Sequence, residues 1–191
     1  MEIVRMHHDE HFISPVVIYP KIFRDERGYF YESFNEKEFK EKVLDVDFVQ
    51  DNQSLSSYGV VRGMHFQKPP YEQAKLVRVI NGAVYDIVLD IRPDSPYFGH
   101  YYGQYLSDSN HLQFFVPRGF AHGFISLSDN TIFQYKCDNY YNKESEGSLY
   151  ALDPVLNLPW SKFADVGDIK LSVKDMNAPK FLDVFGLDQP K

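Results

Sequence analysis

The feature that most constrains this chain is the spacing of its turn residues. Runs rich in β-branched and aromatic residues recur along its length: VVIYP (16–20), YFYESF (29–34), KLVRVINGAVYDIVLDIR (75–92), YYGQYL (101–106), QFFVP (113–117), HGFISL (122–127) and TIFQYKCDNYY (131–141). Each is bounded by Gly, Pro, Asp, Asn or Ser, so each reads as a short strand. Asn81-Gly82 lies between two apolar runs and predicts a hairpin, because both residues accept positive φ. SDSNH (107–111) predicts a second turn. Helical signal is confined to NEKEFKEKVL (35–44), where Asn35 is a good N-cap and Phe39 and Val43 share a face, and to a short piece in LSVKDMNAP (171–179). Many short strands with few helices predict an all-β fold: a sandwich, a jelly roll or a small barrel able to hold one small ligand in its mouth.

Composition narrows the function classes. At 191 residues the chain is expected to form one domain over 1–191 with a full core, and 16 Phe and 14 Tyr suit a sheet-rich fold and an aromatic-lined pocket. A formal charge of -7 with no Lys/Arg block argues against a nucleic-acid surface, which needs basic residues to displace counterions. The single cysteine, Cys137, permits neither an intramolecular disulfide nor a cysteine zinc site, and is expected to be small buried filling. The N-terminal MEIVRMHHDEHFISP lacks the apolar core of a signal peptide, and no apolar run approaches the roughly 18 residues of a membrane span. No membrane association and a cytoplasmic location are therefore expected.

Period-two alternation places Lys75, Val77 and Val79 on one strand face, opposite Leu76 and Arg78. It sets Asp86, Val88 and Asp90 against Tyr85 and Ile87, and it points Phe133 and Tyr135 together. Of the seven histidines, His7, His8 and His11 lie in a polar stretch, and His100 and His111 lie beside turns; all five are expected at the surface. His65 and His122 sit in apolar runs instead.

PRGFAH (117–122) resembles the Pro-x-Gly-x-x-His motif of cupins, which raises a metal reading. Metal-binding cupins generally carry a His-x-His pair in their first motif, whereas this chain has His65-Phe66-Gln67 with Glu72 beyond, leaving His65, Glu72 and His122 as a thin facial ligand set. A second reading makes both histidines core residues with satisfied hydrogen bonds. The third is proton transfer. A neutral imidazole suits abstraction of a proton next to a ketone. It then needs an orienting carboxylate (Asp175 or Asp86), a cation for the enolate oxygen (Lys75) and a group to return the proton (Tyr135).

Seven collinear segments carry a closer resemblance: FRDERGYFYESFNEKEF, FVQDNQSLSSYGVVRGMHFQ, QAKLVRVINGAVYDIVLDIR, SPYFG, FFVPRGFAHGFISLSD, YKCDNYY and LSVKD. Together they resemble the dTDP-4-dehydrorhamnose 3,5-epimerase family from about residue 14 to about residue 182. The resemblance implies a metal-independent cupin-type jelly-roll barrel with a few short helices, no cofactor, commonly a homodimer. It also implies a nucleotide-sugar substrate, dTDP-4-dehydro-6-deoxy-glucose, with proton exchange at C3 and C5 on the path to L-rhamnose. By the same resemblance, His65 is the base, Asp175 orients it, Lys75 stabilises the enolate and Tyr135 returns the proton, while His122 lines the sugar pocket. Arg27 and Glu32 grip the nucleotide end, Gln50 and Asn52 contact polar groups, Arg62 holds the diphosphate and Tyr141 stacks on the base. Gln53 stands where many members have histidine, and Ala74 replaces a common glycine; neither change removes a proposed catalytic group. A mono-epimerase, an epimerase of another nucleotide sugar, a metal-dependent cupin and a non-catalytic binder are the competing expectations.

Overall fold

The computed structural model describes residues 1–186. In chain order the strands are β1 (Glu2–Arg5), β2 (Val16–Tyr19), β3 (Ile22–Asp25), β4 (Gly28–Tyr31), β5 (Gln50–Ser56), β6 (Val61–Gln67), β7 (Lys75–Asn81), β8 (Ala83–Asp90), β9 (Tyr101–Ser107), β10 (Gln113–Val116), β11 (Phe120–Ser126), β12 (Thr131–Cys137) and β13 (Glu146–Ser148). Helices α1 (Glu36–Lys42), α2 (Val173–Met176) and α3 (Phe181–Phe185) are short. Asn35 caps α1 as expected, its side chain accepting from the Glu38 N–H.

The strands form a six-stranded sheet in the order β1-β2-β10-β7-β12-β5 and a five-stranded sheet in the order β13-β6-β11-β8-β9. All strand pairings are antiparallel. This is the cupin-like jelly roll. The space between the sheets is filled by Val77, Val79, Phe114 and Phe133 from one side and by Val84, Val88, Leu106 and Phe124 from the other. The outer face of the six-stranded sheet is covered by Phe39 of α1, packed on Val16, Ile18, Leu76 and Phe115. The outer face of the five-stranded sheet is covered by the C-terminal segment through Leu149, Trp160 and Phe181. The alternation read from the sequence therefore holds: Val77 and Val79 face inward while Leu76 faces α1, and Val88 faces inward while Ile87 faces the C-terminal layer.

Several expectations need correction. Gly82 has the positive φ (+83°) anticipated for a turn, but Asn81-Gly82 does not close a hairpin: β7 enters the six-stranded sheet and β8 the five-stranded one. The turn is a corner between sheets, because each strand finds its partners far along the chain. The strand expected over YFYESF ends at Tyr31, and the strand in QDNQSLS (β5) was not anticipated. His7 and His111 are buried, at 9% and 4% exposure, rather than surface residues. Cys137 is buried, as its small apolar character predicted. Among the described residues, no helix is long and apolar enough to cross a membrane.

Candidate active site

A cleft of about 440 Å³ opens between the two sheets at one end of the barrel. The five-stranded sheet contributes Arg62 and His65 from β6 and His122 from β11, and the six-stranded sheet contributes Lys75 from β7 and Tyr135 from β12. The segment from Lys170 to Asp175 closes one side. Arg62 and His65 are three apart, so a regular strand would point them to opposite faces. They face the same cleft because β6 is irregular between them: Gly63 has φ +135° and the pairing with β11 shifts register opposite it. A Cβ at Gly63 would meet the Gly123 Cα at 2.5 Å and the His122 carbonyl at 2.8 Å. That contact explains why VVRGMHFQ carries glycine there.

His65 Nε2 donates to Asp175 Oδ1 at 2.6 Å. A carboxylate only accepts, so this bond places the ring proton on Nε2 and leaves Nδ1 as the basic atom. Asp175 is itself fixed by a reciprocal bond at the start of α2. The Ser172 hydroxyl donates to Asp175 Oδ2 (2.8 Å) and accepts from the Asp175 N–H (3.1 Å). Burial pushes Asp175 up, but the His65 and Ser172 bonds outweigh it and hold the carboxyl below the usual carboxylate range. The sequence signal for this brace is the capping-box spacing Ser172-x-x-Asp175.

Asp86, the other aspartate considered for His65, pairs with His122 instead; His122 Nε2 lies 2.9 and 3.0 Å from its two carboxylate oxygens. Asp86 is fully buried, and burial raises its carboxyl while His122 and Lys75 pull it back. Burial lowers Lys75, against the opposing influence of Cys137 and Asp86. Its ammonium lies 5.7 Å from the centre of the Tyr135 ring. Burial and the neighbouring Cys137 raise the Tyr135 phenol, and the Arg62 charge draws it partly back.

The remaining expected contacts divide into two places. Arg62 is anchored on the end of β5, Nε donating to Ser56 Oγ (3.0 Å) and an Nη to the Leu55 carbonyl (3.1 Å). Gln50, Asn52 and Tyr141 form one network beside the cleft. The Tyr141 N–H donates to Gln50 Oε1 (3.3 Å), Gln50 Nε2 to Asn52 Oδ1 (3.1 Å), and Asn52 Nδ2 to the sulfur of Cys137, which is opposite Lys75 in the sheet. The Tyr141 hydroxyl donates to Glu146, and Glu146 pairs with Lys174 of the cleft wall at 2.5 Å. Glu146, Lys174 and Ser56 were not singled out from the sequence, since each reads there as an ordinary surface polar residue. Arg27 and Glu32 lie outside the cleft, at the β3–β4 hairpin, where Arg27 is exposed and pairs with Asp25 at 2.6 Å rather than with Glu32.

Glu72, the carboxylate of the facial ligand set, does not line the cleft. Among the described residues, no group of three or more His, Cys, Asp or Glu side chains is arranged to hold a metal ion.

A family profile described as dTDP-4-dehydrorhamnose 3,5-epimerase matches residues 12–183. A protein of that name from Shigella flexneri is 49% identical over 173 residues, covering 90% of this chain and 93% of its own length. The crystal structure of a dTDP-4-dehydrorhamnose 3,5-epimerase from Elizabethkingia anophelis superposes with a TM-score of 0.87 at 50% identity, covering 96% of this chain and 97% of that one. A dTDP-6-deoxy-D-glucose-3,5-epimerase from Legionella pneumophila, solved in complex with dTDP-4-keto-L-rhamnose, superposes with a TM-score of 0.87 at 43% identity and covers 100% of this chain and 98% of that one.

Proposed function

This chain belongs to the dTDP-4-dehydrorhamnose 3,5-epimerase family, and from that premise we propose that it inverts C3 and C5 of dTDP-4-dehydro-6-deoxy-glucose, giving dTDP-4-dehydro-L-rhamnose, as a single domain over 1–191. The observation that carries the reading is the placement of His65, paired with Asp175 of α2, on one sheet and of Lys75 and Tyr135 on the other, facing one cleft. Inverting a carbon requires removing a proton from one face and returning one to the other, which a base and an acid on opposite walls can do.

In this mechanism His65 Nδ1 takes the proton from C3. The C–H electrons form the C3–C4 double bond, and the C4 carbonyl electrons move onto O4. The ammonium of Lys75 stabilises the O4 anion. A cation that has lost its water shell gains most from a new anion beside it, so the burial that lowers Lys75 favours this step. Tyr135 gives its hydroxyl proton to the opposite face of C3 as the enolate collapses to the ketone. Burial supports this role by keeping the phenol protonated until the carbanion is formed. Exchange with solvent returns His65 and Tyr135 to their starting states, and the cycle repeats at C5. His122 lines the sugar pocket. His65 loses freedom to turn because Asp175 and Ser172 hold it.

Arg62 takes the diphosphate, since its anchoring bonds to Ser56 and Leu55 leave part of the guanidinium fork free for bidentate contact. Gln50 and Asn52 contact polar groups of the substrate, and Tyr141 stacks on the base. Arg27 and Glu32, being outside this cleft, act on the nucleotide in the cleft of a second copy, so the working unit is a homodimer. The exposed Phe23, Tyr29 and Phe30 of the same hairpin support that arrangement, being apolar surface available to a partner.

The test is NMR of the dTDP-4-keto-6-deoxy sugar in D2O. Wild type is expected to incorporate deuterium at C3 and C5, His65→Ala at neither, and Tyr135→Phe to exchange without inverting. Exchange at one carbon alone would mean a mono-epimerase. Turnover only of a sugar carried on another nucleotide would keep the chemistry and move the pathway. Undiminished exchange by His65→Ala would overturn the proton-transfer assignment.

A further inference from the structure

The β3–β4 hairpin pairs with neither main sheet. Two strands alone are marginally stable, so its angle to the barrel depends on side-chain contacts at its base. Three are present. The Arg78 guanidinium, held by two bonds to Gln134 Oε1 (2.9 and 2.8 Å), donates to the Tyr31 hydroxyl at 3.3 Å. Gln113 Nε2 donates to the Ser33 carbonyl at 2.7 Å. The third contact is aromatic. The His111 ring lies 4.5 Å from the centre of Tyr29 and 5.2 Å from that of Tyr31.

His111 holds a conformation that few residues other than glycine adopt, though histidine, like asparagine, tolerates it better than most. It sits in the β9–β10 turn with φ +55°, in the left-handed region. The turn is stiff. Asn110 Oδ1 accepts from the Ser107 and Leu112 N–H groups at 3.0 Å each, and the His111 N–H donates to the Ser107 carbonyl. A buried ring on a left-handed residue of a rigid turn makes a fixed platform, and the hairpin's two tyrosines rest on it.

We infer that His111 is a positioning residue for the nucleotide end of the site, its ring setting the angle at which the β3–β4 hairpin presents Arg27 and Glu32. The inference rests on the reading that those two residues contact the nucleotide. The platform works with a neutral ring. Arg24 of β3 faces His111, and its guanidinium lies 5.6 Å from the Tyr29 ring centre. Asp108 of the turn is the opposing charge, and Tyr31 is tied to Arg78 of β7. Burial first and Arg24 second hold the His111 pKa below the ordinary imidazole value of 6.5, with Asp108 opposing. Protonation therefore places a buried positive charge near the exposed guanidinium of Arg24 and loosens the hairpin.

Steady-state kinetics on the dTDP-4-keto-6-deoxy sugar test this with His111→Asn, which keeps the left-handed preference and removes the ring, beside Arg27→Ala. Losing the aromatic contacts should raise KM about three- to ten-fold with kcat within about two-fold, the change expected from one or two ring contacts. Lowering the pH from about 8 to about 5.5, across the ordinary histidine range, should raise the wild-type KM more than the His111→Asn KM. If Arg27→Ala raises KM and His111→Asn does not, the inference fails and the underlying reading stands. If Arg27→Ala leaves KM unchanged, the reading of the hairpin fails and takes this inference with it. A fall in kcat and in melting temperature without the KM change would mark His111 as merely structural and also overturn the proposal.

Discussion

Two histidine–aspartate pairs meet in one cleft, and they differ in one respect that separates their roles. The His65 side chain is 34% exposed and bonded to an aspartate that is 6% exposed. The His122 side chain is 8% exposed and bonded to an aspartate that is 0% exposed. Both bonds use Nε2, but His65 meets one carboxylate oxygen at 2.6 Å and His122 meets two at 2.9 and 3.0 Å, and the environments push the carboxyls apart. Asp175 is held below the ordinary range because its hydrogen bonds outweigh its burial, whereas burial dominates at Asp86 and raises it. An imidazole that reaches substrate and has a charged brace behind it is fitted to take a proton. An imidazole sealed against a carboxyl in the barrel wall is fitted to keep its orientation. The same two residue types are thus suited to a base in one place and to a pocket lining in the other, and the difference between them is burial.

The largest test of that contrast is truncation of the two rings. His65→Ala should cost about 10⁴-fold in kcat, the upper range for removing a general base. His122→Ala should cost far less in kcat and more of its effect in KM, as expected of a pocket wall. Equal losses in kcat would erase the distinction, and single-turnover kinetics would read them. The two aspartates should show the reverse ranking in stability. Asp86→Ala leaves a buried imidazole N–H without its acceptor and should lose about 1–3 kcal/mol. Asp175→Ala should lose less, because water reaches His65. Urea unfolding at neutral pH measures both, and a greater loss at Asp175 would break the ranking.

The smallest effect is the dependence of stability on pH, where the two carboxyls have opposite signs. Asp175 has a folded pKa below its unfolded value of 3.8. Its contribution is present above that value and is lost as the pH falls through the folded one. Asp86 has a folded pKa above 3.8. Its contribution is complete below 3.8 and is lost as the pH rises through the folded value. Melting curves from acid to neutral pH should therefore show the wild-type advantage over Asp175→Asn shrinking in acid. The difference between wild type and Asp86→Asn should move against wild type toward neutral pH. Parallel slopes would mean that the two pairs share one electrostatic environment.

Much of the molecule could be read from residue order where the controlling physics is local. Asn35 before an apolar period capped a helix, and alternation in KLVRV turned Lys75 inward with the valines. Ser172-x-x-Asp175 carries in its spacing the reciprocal bond that holds the aspartate behind His65. The errors arose where distant segments decide. Asn81-Gly82 has the local chemistry of a hairpin turn, yet the strands it joins pair with β10, β12, β9 and β11 instead of with each other. His7 and His111 sit in polar stretches that look solvated, but rings from other segments cover them: Tyr97 stacks on His7 at 4.1 Å, and Tyr29 and Tyr31 lie on His111.

The sequence by itself determined that the chain makes short strands, which residues share a strand face and which family the motifs belong to. These follow from backbone propensity, period-two geometry and the identity of the side chains. Only the tertiary structure decided that Asp175 serves His65 while Asp86 serves His122, that Arg62 joins His65 across an irregular strand, and that Arg27 and Glu32 stand away from the cleft. Those outcomes depend on contacts between residues as far apart as His65 and Asp175, and on burial, which no residue possesses until the sheets close around it.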